Sequence, residues 1–175
     1  MAAVKVRSWL RCGLALALCV TLAGCLRPLY GAPAAGGTDV ALALSSVEVD
    51  PIPDHIGHQL RNDLIFALTG GNPVPGTRYR LGVTVSRAIN ATVVDTATGR
   101  ADAANVILRA NYTLVEVAGG KPVTSGRAEA FVSYDRTAQR FASVRASRDA
   151  EIRGARVLSD QIRTRLAAHF AQAGG

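Results

Sequence analysis

Apolar residues along this chain follow three different spacings. Near the start, Cys12 to Gly24 reads CGLALALCVTLAG, apolar on every side of any helix drawn through it. Later stretches carry an apolar residue at every second position, or at every third or fourth. Val40 to Val49, VALALSSVEV, alternates imperfectly and predicts a strand, with Ser45 and Ser46 a candidate bulge. DPIPD ends it, and Asp54 is placed to cap a helix by offering its carboxylate to orphan backbone N–H groups. Ile56, Leu60, Leu64 and Leu68 form one stripe down that helix, which stops at Gly70 and Gly71.

Three strands are expected next. Arg78 to Val94 sets Tyr79, Leu81, Val83 and Val85 on one face, with Arg78, Arg80, Thr84 and Ser86 on the other. DTATGRAD is a turn. ANVILRANYTLVEV then directs Val106, Leu108, Ala110, Tyr112 and Leu114 inward, and AGGK makes a hairpin turn. PVTSGRAEAFVSYD returns with Ala128, Ala130, Val132 and Tyr134 inside. A long helix from Ser147 to Ala171 closes the pattern, its stripe being Ala155, Leu158, Ile162, Leu166 and Phe170. The order βαβββα predicts an α+β two-layer sandwich: a four-stranded, mainly antiparallel sheet with two helices on one face. The other face is polar and small-residued, suited to water or a polar partner.

The uniform apolar run at the start has another meaning. Lys5, Arg7 and Arg11 precede it, and no acidic residue occurs before Asp39. A basic start, an apolar centre and a small-residue exit describe an export signal over residues 1–24. The run is too short for a spanning helix, which needs about 20 apolar residues to cross ~30 Å of hydrocarbon. Leu22-Ala23-Gly24-Cys25 resembles the lipobox of bacterial lipoproteins, in which the cysteine thiol is acylated and the chain is cut just before it. Sulfur is a good nucleophile and forms a stable thioether. Cys25 then becomes the first residue of the mature protein, and Cys12 and Cys19 leave with the signal. No thiol remains for a disulfide or for catalysis. One acyl chain anchors only marginally, each methylene adding ~0.8 kcal/mol. The resemblance implies three such palmitate-type chains, hence a durable anchor.

Residues 25–38 read as the lipidated N-terminus and a tether, RPLYGAPAAGGT being dominated by Pro, Ala and Gly. Residues 39–173 form the folded domain. Loss of the three basic residues of the signal lowers the net charge from +7 to +4. A mildly basic exported protein is expected to meet anionic lipid or acidic sugar, and no nucleic acid.

Few residues carry recognisable chemistry. Asp54-His55-x-x-His58 has metal-like spacing, with His169 the remaining histidine. A zinc site needs a third or fourth ligand, so capped helix and solvated histidines is the preferred reading and no metal is assigned. GGNPVPG carries prolines where a phosphate loop needs N–H donors. No serine elbow is legible, and neither an enzyme nor a cofactor is supported. Arginines remain. Arg100 lies in the turn between the second and third strands, and Arg136, Arg140 and Arg145 crowd the approach to the last helix. Guanidinium groups grip phosphate and carboxylate bidentately. The alternative is an ordinary solvated face with neighbours such as Arg148 and Asp149.

Taken together, GCLRPLYG, the βαβββα order and YDRTAQRFASVRASRDAEIRGARVLSDQIRTRLAAHF resemble the lipopolysaccharide-assembly lipoproteins (LptE) of alphaproteobacterial type. The resemblance implies an LptE-like domain anchored to the outer membrane and facing the periplasm. It implies a plug in the lumen of a large β-barrel, LptD, that assists assembly of lipopolysaccharide into the outer leaflet. Leu26, in place of an aspartate after the cysteine, agrees with outer-membrane sorting. Basic residues of the strand turn and the last-helix approach are linked to lipopolysaccharide in the family, and Arg100 and Arg145 are the nearest matches. Two other readings stand beside it: an auxiliary lipoprotein of an ABC-type lipid transport system, and an anchored periplasmic enzyme.

Overall fold

The computed structural model describes residues 40–71, 76–95 and 100–173, with the side chains of 91–95 and 100–102 excepted. In chain order the elements are α1 (Val40–Ser45), β1 (Val47–Val49), α2 (Asp54–Thr69), β2 (Tyr79–Asp95), β3 (Arg100–Glu116), β4 (Pro122–Asp135) and α3 (Arg140–Ala173). The strands lie side by side in sequence order, β1 parallel to β2 and the rest antiparallel. This is an α+β architecture with a four-stranded open sheet.

The inward positions expected from alternation are the ones that pack. Leu81, Val106, Leu108, Ala110, Leu114, Ala128 and Ala130 are buried under the helices, and Tyr79, Val85 and Tyr134 close the margins. Ile56, Leu60, Leu64 and Leu68 from α2 meet Leu158, Ile162, Leu166 and Phe170 from α3 over this face. Gly70 ends α2 in the left-handed region at φ 65°, its N–H bonding to the Phe66 carbonyl.

Three expectations need correction. Val40–Val49 is not one strand. VALALS is helical, and the Ser45 and Ser46 hydroxyls donate back to the carbonyls of Leu42 and Ala43 at its end. Alanine and leucine favour the helix, and only Val47–Val49 finds a β2 partner, at Tyr79–Leu81. Asp54 does not cap α2. Pro53 occupies the N-cap, without a side-chain cap bond, and Asp54 turns the chain at φ 70°. Asp tolerates that region better than most residues. Between Pro51 and Pro53 the loop buries Ile52, which stands 1% exposed. Finally, α3 begins at Arg140, before the expected Ser147.

Both ends of the sheet are managed by side chains. On the free edge of β4, Gln161 accepts from the Glu129 N–H and donates to its carbonyl, at 3.3 and 2.9 Å. Arg165 donates to the Arg127 carbonyl, and Arg153 to that of Ser133. At β1, Arg61 donates to the Val49 carbonyl. Such covers stop a strand edge from recruiting another chain.

Candidate functional site

The arginines expected to matter converge by topology. Asp135, the last residue of β4, lies opposite Ala103, so the β2–β3 hairpin runs past the end of β4 toward Arg100. That excess is about three residues, or ~10 Å at the usual strand rise. At the same end α3 begins. Ala146, Asp149 and Arg153 line a shallow hollow with Ser133 to Asp135, and Val144, Ser147 and Arg148 line another with His55 and Arg87. The first turn, from Arg140 to Ser143, precedes these contacts, about 6 Å of helix.

Ser143 fixes the approach. Its Oγ accepts from the Thr137 N–H and donates to the Thr137 carbonyl, both at 2.9 Å, while Thr137 Oγ1 reaches the Gln139 carbonyl. The loop carrying Arg136 is thereby bound to the helix carrying Arg140 and Arg145. Arg136, Arg140, Arg145 and Arg148 are all exposed. Among the described residues none of the four forms an ion pair. Asp135 is the exposed acid nearby, and Asp149 is engaged by Arg153 at 2.9 Å. Phe141, 88% exposed, and Val144 stand among these cations. Cations interleaved with apolar side chains suit an amphipathic anion, because one ligand satisfies both.

Arg100 begins β3 opposite Asp95, and its side chain lies outside the described residues. Cys25, the lipobox and the tether also lie outside them. Arg148, Phe141 and Val144 were not singled out from the sequence. The usable signal was FASVRASR, which has no helix breaker and spaces Phe141, Val144 and Arg148 at helical intervals. His55 and His58 are exposed near the start of α2, and His169 stacks edge-on against Phe170 at 5.8 Å. Among the described residues no three His, Cys, Asp or Glu side chains converge as metal ligands.

A second concavity lies between the start of α2 and β2. Pro53 to Gly57, Val85, Arg87 and Glu151 enclose about 450 Å³. Glu151 of α3 is buried, and Arg87 of β2 donates to its Oε1 at 2.5 Å while remaining half exposed. The two ends of this pair differ. Removing the arginine strands a buried carboxylate, whereas replacing the acid leaves a guanidinium that water can reach. Arg87→Ala should therefore destabilise by roughly 2 kcal/mol and Glu151→Gln by about half as much. Urea unfolding of both variants checks the order.

The molecule is thus an α+β domain with an exposed arginine cluster that forms no ion pair among the described residues, and an open, mostly polar sheet face. A family model described as lipopolysaccharide-assembly LptE matches residues 41–166, and the chain belongs to that family of non-enzymatic lipoproteins. A lipoprotein of Caulobacter crescentus CB15, known from a crystal structure, is 25% identical over 75% of this chain and 96% of its own, with a TM-score of 0.63. The minor lipoprotein of Acinetobacter baumannii shares the fold at 17% identity and a TM-score of 0.51, over 70% of this chain and 91% of its own. No curated protein matches the chain.

Proposed function

We propose that this lipopolysaccharide-assembly lipoprotein is acylated at Cys25, faces the periplasm from the outer membrane, and plugs an LptD-type β-barrel. In that position Arg136, Arg140, Arg145 and Arg148, with Arg100 at the hairpin tip, receive the anionic groups of lipopolysaccharide. The observation that carries the reading is the cluster itself: four exposed arginines that form no ion pair among the described residues, held on a bound loop and the first turns of α3, in a chain of this family. The open face supports the plug. Arg109 with Glu129, Arg127 with Asn111, and Ser133 with Asn105 pair across it around the exposed Phe131, a mostly polar surface that suits a polar barrel lumen. Among the described residues no helix is long and apolar enough to cross a membrane. Attachment in this reading comes from Cys25 alone.

Detergent purification of the tagged full-length chain tests the proposal. A large β-barrel is expected in about one-to-one ratio. The Cys25→Ser variant should stay in the soluble periplasmic fraction. Recovery with an inner-membrane ATPase instead would favour an auxiliary role in lipid transport. A solitary species with hydrolytic activity would favour an enzyme.

A further inference from the structure

Beyond the short β1, no described residue covers the edge of β2. In β2 the odd-numbered residues direct their backbone groups away from β3: Tyr79 N–H donates to the Ser46 carbonyl, and the Leu81 carbonyl accepts from Asp50 at 3.0 Å. Register with β3 continues without a bulge to Ala91, so Val83, Val85, Arg87 and Ile89 point their N–H and C=O groups the same way. None of the described residues continues the β1 lane there. Pro51 and Pro53 have no N–H to continue the ladder, and Ile52 between them turns into the core. Among the described residues, β1 partners β2 only at Tyr79–Leu81. About 20 Å of this edge has no strand partner among the described residues.

This contrasts with the other edges, where Arg61, Arg153, Gln161 and Arg165 serve backbone groups. The vacant lane adjoins the 450 Å³ groove lined by Ile56, Gly57, Val85 and Arg87. A row of alternating donors and acceptors beside a groove is complementary to an extended backbone, and to neither a helix nor a lipid tail.

The geometry points to strand addition: an extended segment of the barrel partner pairs with Val83–Ile89 of β2 and extends the sheet in line with β1. This assignment rests on the barrel reading above. The chain's own tether is unsuitable, because Pro28, Pro33 and its glycines remove donors and weaken strand pairing. A second copy on this edge would slow the same amides in the free chain in proportion to its concentration, and that result would overturn the barrel assignment. The incoming segment alternates. Small apolar side chains enter the groove beside Ile56, Gly57 and Val85, and polar ones lie outside beside Thr84 and Ser86.

Amide hydrogen exchange of the detergent-purified complex, against the free chain, tests the pairing. Exchange across Val83–Ile89 should slow by about tenfold or more in the complex. A complex that contains the barrel but leaves these amides as fast as in the free chain overturns the strand addition and leaves the plug reading intact. Recovery of no barrel overturns both. Val85→Pro gives a second reading. It removes an outward N–H without touching the β3 ladder, so the variant should fold and retain less barrel. Full barrel recovery by folded Val85→Pro overturns the pairing, and if that variant unfolds, the exchange of the unaltered chain decides.

Discussion

Replacing Arg136, Arg140, Arg145 and Arg148 together by glutamine is expected to weaken lipopolysaccharide binding about 100-fold. The size follows from exposure. Solvated ion pairs contribute at most about 1 kcal/mol each, so four set a ceiling near 4 kcal/mol, and imperfect geometry brings the expectation to about 3. The loss should be largest at low ionic strength, because salt screens exposed charges over roughly 10 Å at 0.1 M. Stability should hardly change. None of the four arginines has an ion pair among the described residues, and Ser143 still binds the loop to the helix in the variant. Equilibrium binding at two salt concentrations, beside thermal unfolding, is the measurement. An unchanged affinity in a folded variant would remove the cluster from the mechanism. Phe141→Ser separates the apolar part, and should lower affinity without altering the salt dependence.

The second large effect is on folding. Gly57→Val should destabilise the domain by about 3 kcal/mol or more, at the upper end of overpacking costs. A Cβ at Gly57 would lie 2.7 Å from Ile52 Cγ2, 2.8 Å from the Ile52 oxygen and 2.9 Å from its carbonyl carbon. The last two are backbone atoms of a loop held by two prolines and by the buried Ile52 side chain, so they have little room to yield. Gly154 makes the useful comparison. It packs α3 against β3 equally closely, with Leu108 Cδ1 at 2.8 Å from a built Cβ, but that neighbour is the end of a flexible side chain. Alanine in a helix interior also gains about 1 kcal/mol over glycine. Gly154→Ala should thus stay within about 1 kcal/mol of the unaltered protein, while Gly57→Ala should lose despite the same helical gain. Denaturant midpoints of the three variants rank them. A Gly57→Val protein as stable as the parent would mean that the Ile52 loop can shift, and that the vacated β1 lane is not held open by it.

Much of the layer arrangement could be read from spacing alone. The stripe Ile56, Leu60, Leu64, Leu68 and the alternation through Leu81, Leu108 and Ala130 survive in the structure because burial acts on faces, and a face is a periodicity. The misreadings fall where that link fails. VALALS fits either period over so few residues, and only the short reach of the β1 pairing decided for a helix. FASVRAS has no apolar stripe, its large apolar residues Phe141 and Val144 both being exposed, so the pattern that marks a packed helix was absent from it. Asp54 looked like a cap, but a cap depends on backbone angles set by Pro53 and by the packing of Ile52.

The candidate site divides in the same way. Its residue types were legible: arginines without an evident purpose, near a turn and near the last helix. The sequence by itself determined which side chains are cationic, which positions face the core, and that Pro51 and Pro53 cannot continue a ladder. Only the tertiary structure decided that, among the described residues, Arg136, Arg140, Arg145 and Arg148 form no ion pair, and that side chains cover β4 but not the edge of β2 beyond β1. Those properties depend on distances between segments far apart in the chain. Such distances are set by how one helix of fixed rise lies along strands of more than twice that rise.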